Sequence, residues 1–186
     1  MSTHLDDLCH QLTEISEQNE AQLPPVERWH PELSGDIDIE IKSNGQWLHE
    51  GTVIQRQSLV KLFSSILRRE DDEYFLVTPV EKWRLKVESY PLFMNTLSTK
   101  DINGFETYVL NGPSEFPVCI DKNHAIWVEE HISGPLPIVH CRNRLNAVIA
   151  RNVYYELAEH AKQNDKGDLG IVSAGEWFSL MPIKPD

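Results

Sequence analysis

The sequence is short of cysteine, of basic residues and of long apolar runs, and each shortage excludes a class of protein. Three cysteines (Cys9, Cys119 and Cys141) form no C-x-x-C pair, so neither a disulfide framework nor a paired-cysteine metal site is expected. No run approaches the roughly 20 apolar residues of a membrane helix. The N-terminus also lacks the basic and apolar regions of a secretory signal. We therefore expect a soluble, cytoplasmic protein with reduced thiols.

The charge balance is strongly acidic. The 186 residues include 17 Lys and Arg against 29 Asp and Glu, a formal net charge of −12. Such a chain repels phosphate backbones and anionic lipids at long range, so we expect neither a nucleic-acid nor a membrane partner. The composition, 40% hydrophobic and 25% charged, is that of a folded protein with one domain or two small ones.

The motifs of common enzyme classes are also missing. No P-loop, G-x-G-x-x-G, G-x-S-x-G or H-E-x-x-H pattern occurs. His140 and Cys141 are adjacent, so in a strand they would point to opposite faces and would not bind one metal ion together. We expect no catalytic residues, no metal and no cofactor, and these absences favour a non-enzymatic protein.

The clearest sheet-forming stretch is residues 74–88, YFLVTPVEKWRLKVE. Its first half is continuously apolar, as in a strand that is covered on both faces. Thr78-Pro79 interrupts the ladder, because proline has no N–H to donate. After this break, apolar and charged residues alternate from Trp83 onward, which predicts a strand with one wet face.

The elements before this stretch predict a first α+β module. Residues 37–41 alternate as a half-buried strand. Ser43-Asn44-Gly45-Gln46 indicates a type I′ hairpin. A two-residue turn would place Trp47 on the face opposite to the buried isoleucines, so either that face is covered too or the turn is longer than two residues. Apolar residues at helical spacing predict a helix over 55–69, ended by Asp71-Asp72.

The second half predicts a similar module. We expect a connection over 91–104, a strand over 105–110, and a second hairpin around residues 121–124. A strand over 137–141 then precedes a long helix that is capped by Asn143 and stopped at 164–167. Strands over 169–172 and 177–180 complete the module.

The two halves repeat one order of elements, which predicts an internal duplication. Trp47 corresponds to Trp127, and residues 77–81 correspond to 172–176. The predicted organisation is an amphipathic N-terminal helix and linker over 1–25, a first α+β module over 26–92 and a second over 93–186. Two such modules would meet at a seam, where pockets are common.

Cations at the predicted helix starts are the features that most suggest a binding site. Arg56 begins one helix, and Arg142 with Arg144 begins the other. Cations oppose the helix dipole at this end, whereas a guanidinium beside free N–H groups suits an anionic ligand. The alternative is that these arginines pair with acidic residues. The remaining candidate residues, which would add charge or orient the ligand, are Glu81, Lys82, Asn146 and Arg151.

Two stretches resemble a known bacterial family. GDIDIEIKSNGQWLHEGTVIQRQSLVKLFSSILRREDDEYFLVTPVEKWRLKVE and RNRLNAVIARNVYYELAEHA are similar to the domain of unknown function numbered 1285. The resemblance implies a duplicated α+β fold with a C-terminal module similar to pleckstrin-homology-like folds. It also implies a cleft between the modules for a nucleotide-like molecule and a role in signalling. This sequence departs from the family's Asp-Gly turns at Asn44-Gly45 and Asp72-Glu73.

We therefore expect a non-enzymatic, cytoplasmic, regulatory protein that binds a small anionic, nucleotide-like molecule between its modules. A protein-interaction module without a small ligand, through a partner or a second copy, is the second hypothesis. An enzyme of unknown class is the third.

Overall fold

The chain divides into two compact units, with the boundary between Ser89 and Tyr90. The structure is a computed structural model that describes residues 23–113 and 115–183. The predicted N-terminal helix lies outside the described residues. In the described residues, unit 1 has one sheet and one α-helix and unit 2 has three sheets and one α-helix, as expected for an α+β fold of two modules.

Unit 1 is a six-stranded sheet with one helix. After a short 3-10 helix at Val26–Arg28, its elements are β1 (Leu33–Ile41), β2 (Trp47–His49), β3 (Thr52–Val53), α1 (Gln57–Ser65), β4 (Leu67–Glu70), β5 (Glu73–Val77) and β6 (Lys82–Val87). The strand order is β3-β2-β1-β6-β5-β4. All neighbours are antiparallel except β1 and β6, which run parallel in the middle of the sheet.

The stretch over 74–88 forms β5 and β6, as predicted. Phe75, Leu76 and Val77 are buried, and Trp83 and Leu85 are buried between more exposed charged neighbours. The break between the strands is stabilised by the buried Thr78. Its Oγ1 accepts hydrogen bonds from the backbone N–H groups of Glu81 (3.0 Å) and Val80 (3.4 Å).

The first hairpin has the longer of the two turns that the sequence allows. Ile41 pairs directly with Trp47, so both side chains face the same buried side. The prediction of a type I′ turn is wrong, because Gly45 has a positive φ (83°) and Asn44 does not. The Lys42 N–H instead donates to the Gln46 carbonyl at 2.8 Å, which closes a wider loop.

The helix α1 is shorter than the predicted 55–69. It ends at Ser65, and β4 begins at Leu67 and pairs with β5 through Leu67–Leu76 and Arg68–Phe75. Asp71-Asp72 is therefore a hairpin turn rather than the end of a helix, with Asp71 at φ 51°. The apolar spacing predicted a longer helix because Phe63 of the helix and Leu67 of the strand are four residues apart and are both buried.

Unit 2 contains three sheets and one helix. Its elements are β7 (Leu92–Met94), β8 (Thr96–Ile102), β9 (Phe105–Gly112), β10 (Glu115–Cys119), β11 (Ile126–Glu129), β12 (Leu136–Arg142), β13 (Leu145–Ile149), α2 (Arg151–Glu159), β14 (Lys162–Gln163), β15 (Leu169–Ser173), β16 (Glu176–Ser179) and β17 (Pro182–Ile183). The strand orders are β17-β11-β12-β13-β7, β10-β9-β8 and β14-β15-β16.

Three predictions for unit 2 are wrong. Residues 91–104 include two strands rather than a plain connection. The second hairpin does not form, because β10 pairs with β9 and β11 pairs with β12; a single bridge joins Asp121 and His124. The helix begins at Arg151 instead of after Asn143, which lies in a turn at φ 49°. The apolar run of β13 is buried on both faces, and such a run resembles a helix in sequence.

Both units contain the same succession of elements. In unit 1, three antiparallel strands (β1-β2-β3) precede a helix and three more antiparallel strands (β4-β5-β6), and β6 returns parallel to β1. In unit 2, β11-β12-β13, α2 and β14-β15-β16 follow the same order, but β14-β15-β16 is a separate sheet, and the strand that runs parallel to β11 is the additional strand β17. Residues 77–81 and 172–176 lie at the same place in this order. Trp47 and Trp127 do not, because they lie in β2 and in β11, the counterpart of β1.

A glycine at the end of β9 marks the tightest packing in unit 2. A Cβ placed on Gly112 would overlap the carbonyl oxygen of Phe93 and lie 3.2 Å from the Met94 Sδ. Because a backbone carbonyl in a sheet cannot move aside, we expect Gly112→Ala to lower the free energy of unfolding by about 3 kcal/mol. Urea unfolding followed by circular dichroism measures this change.

Gly167→Ala is the matched control. Its added Cβ meets nothing within 4 Å, and only its φ of 86° opposes alanine, at a cost of about 1 kcal/mol. Equal losses for the two variants would show that β7 and β9 do not pack as described.

Candidate functional site

Arg56 lies at the start of α1, as predicted. It is the N-cap residue, its side chain is exposed, and it makes no capping hydrogen bond. The first turn of α1 contains no acidic residue. The positive end of the helix dipole therefore has no neutralising carboxylate within its own helix.

Arg151, rather than Arg142 or Arg144, begins the second helix. It is the first residue of α2, and the first turn again contains no acidic residue. One guanidinium nitrogen of Arg151 donates to the carbonyl oxygen of Ser133, in the loop between β11 and β12. This contact uses part of the donor capacity of a guanidinium, which has five N–H groups.

The other predicted residues of unit 2 lie on the β12–β13 hairpin. Arg142 ends β12 and is half-buried, and Arg144 is exposed in the turn. Asn146 pairs across the strands with His140, and their Oδ1 and Nδ1 atoms are 3.0 Å apart. Asn146 therefore orients a histidine in this structure.

Lys82 is neutralised within unit 1. Its Nζ lies 2.9 Å from Glu70 Oε2 and 5.0 Å from the centre of the Phe75 ring. The neighbouring Glu81 accepts a hydrogen bond of 3.4 Å from the indole N–H of Trp83. The structure thus gives Lys82 and Glu81 partners within their own unit, which weakens the prediction that they contact an anion.

The sequence analysis missed Arg68, a buried cation in the same network. Its side chain is only 6% exposed and forms an ion pair with Glu70. Nη1 donates to the carbonyl oxygens of Val26 (2.8 Å) and Trp29 (2.6 Å). Arg68 therefore attaches the segment before β1 to the sheet. Its position in a predicted helix hid this role, and β4 has no alternating pattern that would have shown it, because the adjacent Leu67 and Arg68 are both buried.

Glu70 illustrates how this network controls charge. Burial alone would raise the pKa of its carboxyl group, but hydrogen bonds from Lys82 and Arg68 outweigh burial, and the pKa lies below its ordinary value. A lowered pKa means that the ionised form stabilises the fold above the pKa of the unfolded chain. This stabilisation is lost as the pH falls through the folded-state pKa.

The candidate arginines lie in parts of the chain that contain no acidic residue. Residues 51–69 include Arg56, and residues 131–155 include Arg142, Arg144 and Arg151. Neither stretch contains Asp or Glu, although the whole chain has 29. The first stretch runs from β3 through α1 into β4, and the second runs from the loop before β12 into α2.

Within the described ranges, 23–113 and 115–183, no group of three or more His, Cys, Asp or Glu side chains is placed to hold a metal ion. Nor is any helix in that part of the chain long and apolar enough to cross a membrane.

Comparison with known proteins identifies the family. One family model, the N-terminal domain of the domain of unknown function DUF1285, matches residues 24–90, and the DUF1285 C-terminal domain matches residues 106–180. A DUF1285 family protein from Silicibacter pomeroyi DSS-3, with a crystal structure at 2.50 Å, is 33% identical. The TM-score is 0.80, and the match covers 88% of this chain and 90% of that chain. The chain belongs to the DUF1285 family.

The resemblance seen in the sequence is thus confirmed. A second DUF1285 family protein, from Shewanella baltica OS155, is 27% identical with a TM-score of 0.52, over 66% of this chain and 91% of that chain. No curated protein matches the chain. The DUF1285 models describe domains of unknown function, so an activity has to be argued from the residues themselves.

The Glu70 network provides a direct test of how Lys82 is used. Lys82→Met removes the Nζ–Glu70 ion pair, so we expect the pKa of the Glu70 carboxyl to rise. Carboxyl-detected NMR titration measures it. Lys86→Met, an exposed position on the same strand, should leave Glu70 unchanged. An unaltered Glu70 titration in Lys82→Met would mean that Lys82 is available to another partner.

Proposed function

We propose that this protein is a non-enzymatic, cytoplasmic, regulatory protein that binds a small anionic molecule carrying a phosphate group. The observation that carries the proposal is the acid-free stretch over 131–155, which places Arg144 and Arg151 in a turn and at a helix start. In a chain with a net charge of −12, such a region attracts anions against the overall field.

Arg144 is the residue best suited to meet a ligand. It is exposed in the β12–β13 turn and forms no ion pair with another described residue. A guanidinium can hold two phosphate oxygens at once. Arg151 lies beyond the other end of β13, whose five residues span roughly 17 Å. It would therefore bind a separate anion, beside the free N–H groups at the start of α2.

The proposal ranks the predicted residues. Arg144 is the primary anion contact, and Arg151 in unit 2 and Arg56 in unit 1 are each a separate anion contact at a helix start. Arg142 remains a supporting cation at the end of β12. Lys82, Glu81 and Asn146 serve instead to stabilise their own units through the contacts described above. The nucleotide-like identity of the ligand and the role in signalling derive from the family resemblance.

Three carboxyl groups have lowered pKa values and are therefore poor candidates for a general base. The pKa values of Glu70 and Asp121 are lowered although burial opposes the change, because hydrogen bonds to the carboxylates outweigh it. Hydrogen bonds from Lys42 and Ser43 lower the pKa of Glu88 to about 2. A lowered pKa makes a carboxylate a weaker base, which is the opposite of what a general base needs at neutral pH.

We also propose that the two units arose by internal duplication. Three antiparallel strands, a helix and three more antiparallel strands follow one another in both units, and this shared succession supports such an origin. In this scheme β7 to β10 and β17 are additions to unit 2. The likeness of unit 2 to pleckstrin-homology-like folds remains a prediction from the family resemblance.

A protein-interaction module is the second candidate function. The observation that favours it is the exposure of strand β8 along its length.

A thermal-shift titration tests the anion proposal. We expect a saturable rise in melting temperature with one member of a panel of ATP, GTP, dinucleotides, pyrophosphate and inorganic phosphate. The stabilisation should be roughly 2.7 kcal/mol at 100-fold excess over Kd. Arg144→Ala should weaken that binding by about tenfold or more, because it removes charge-assisted hydrogen bonds.

The matched control is Lys166→Ala, which removes one exposed positive charge from a turn outside both acid-free stretches. It should bind the same ligand like the unaltered protein. A flat response to the whole panel would overturn the anion proposal. If Arg144→Ala and Lys166→Ala weakened binding equally, the change in net charge alone would explain the loss of affinity.

A further inference from the structure

Glu129 is a half-buried carboxylate at the end of β11, in the sheet β17-β11-β12-β13-β7. Ile126 and Val128 of this strand are buried, and Trp127 and Glu129 alternate with them on the opposite face. The Trp127 indole N–H donates to Glu129 Oε1 at 2.9 Å, and the Tyr90 hydroxyl donates to the same oxygen at 2.7 Å. Two neutral donors therefore fix the orientation of this carboxylate.

The other oxygen of Glu129, Oε2, accepts no hydrogen bond from a described residue. An ionised carboxylate offers about four lone-pair sites, and only two of them are occupied here. Nor does any described Lys, Arg or His form an ion pair with Glu129. Glu70, by contrast, is paired with both Arg68 and Lys82. The Glu129 carboxylate is thus held in place by its own unit without being neutralised by it.

Apolar side chains stand on both sides of Glu129 in the sheet. Leu136 of β12 and Ile183 of β17 are its direct pairing partners, so their side chains share its face. Leu136 is half-buried and Ile183 is 54% exposed. The carboxylate therefore lies between the Trp127 ring and two aliphatic side chains, at a place that solvent still reaches.

We propose that Glu129 binds an alkylammonium group. The ammonium donates a charge-assisted hydrogen bond to Oε2, and the attached alkyl chain lies against Leu136 and Ile183, which removes apolar surface from water. The net charge of −12 attracts cations to the protein, and the neighbouring Trp127 ring favours a cation as well. This site is independent of the proposed anion binding.

An organic cation fits these surroundings better than a metal ion. Hard metal ions take six or more oxygen ligands, and in the described ranges no group of three or more His, Cys, Asp or Glu side chains is placed to supply them. Leu136 and Ile183 offer a metal ion nothing, whereas they suit the hydrocarbon part of an amine. A cation that carries its own apolar surface is therefore the matching ligand.

Titration of the full chain with n-butylammonium chloride, followed by proton–nitrogen correlation NMR, tests the proposal. The Trp127 indole N–H donates to Glu129, so its cross-peak reports directly on the carboxylate. The chain contains five Trp residues, and the cross-peak that is lost in Trp127→Phe identifies the right one. We expect a saturable shift of this peak with n-butylammonium, and none with sodium chloride or n-butanol at the same concentrations.

Variants separate the roles of the charge and of the apolar surface. Glu129→Gln should weaken n-butylammonium binding by about tenfold or more, because it removes the charge and keeps an acceptor for Trp127 and Tyr90. Glu130→Gln, the matched control, removes the same charge from the next residue, which is exposed, and should bind normally. Ile183→Ser keeps the carboxylate and should weaken binding by about threefold.

Three results would overturn the proposal. The first is the absence of a saturable shift with n-butylammonium. The second is an equal loss of affinity in Glu129→Gln and Glu130→Gln, since net charge alone would then explain the binding. The third is an equal shift with n-butanol, which would mean that only the apolar surface is recognised.

Two further ligands distinguish the sources of an alkylammonium group. Putrescine represents a free amine, and Nα-acetyl-lysine amide represents a lysine side chain of another protein. Tighter binding of either ligand than of n-butylammonium, with the same loss in Glu129→Gln, supports the proposal and assigns the source.

Discussion

The parallel pairing of the first and last strands of unit 1 is the constraint on which the rest of that unit depends. In unit 1 it joins β1 to β6, and without it the sheet would be two separate antiparallel triplets. A parallel neighbour needs a crossover connection, and the segment that contains α1 provides one. The contact is close where Gly35, at φ 142°, meets the ring of Trp83, since an added Cβ would lie 3.4 Å from that ring. In unit 2, β17 pairs parallel with β11, but β14-β15-β16 is a separate sheet, so this parallel pair does not join the two strand triplets.

The sequence predicted those parts of the fold in which the side-chain pattern has one structural explanation. The alternation after Thr78-Pro79 identified β6. Trp83 and Leu85 are two residues apart, so they share one face of a strand but not one face of a helix, and Lys86 points to the opposite, exposed face. Arg56 was placed correctly because the start of α1 follows from local spacing. The family resemblance was recognised from the motifs themselves.

The wrong predictions of secondary structure have a common cause. A short apolar stretch can form a buried strand or part of a helix equally well. Leu67 fits the apolar stripe of α1, but its hydrogen bonds go to Leu76 of β5. Residues 145–149 look like the first turns of a helix, yet they form a strand buried on both faces. Only pairing partners far along the chain decide such cases. The candidate site inherited the error, since Arg144 belongs to a turn and Arg151 took the expected place at the helix start.

The positive charges of the chain divide into those that maintain the fold and those that do not. Arg68 and Lys82 share Glu70, and Arg84 lies between Glu73 and Asp36, so their guanidinium and ammonium groups are neutralised where they lie. Arg56 and Arg144 are exposed in stretches without acidic residues. In a protein with an excess of 12 negative charges, an exposed arginine with an acidic neighbour would be the ordinary arrangement. The absence of Asp and Glu from these stretches leaves Arg56 and Arg144 without an acidic neighbour along the chain, and the proposal of an anionic ligand rests on this arrangement.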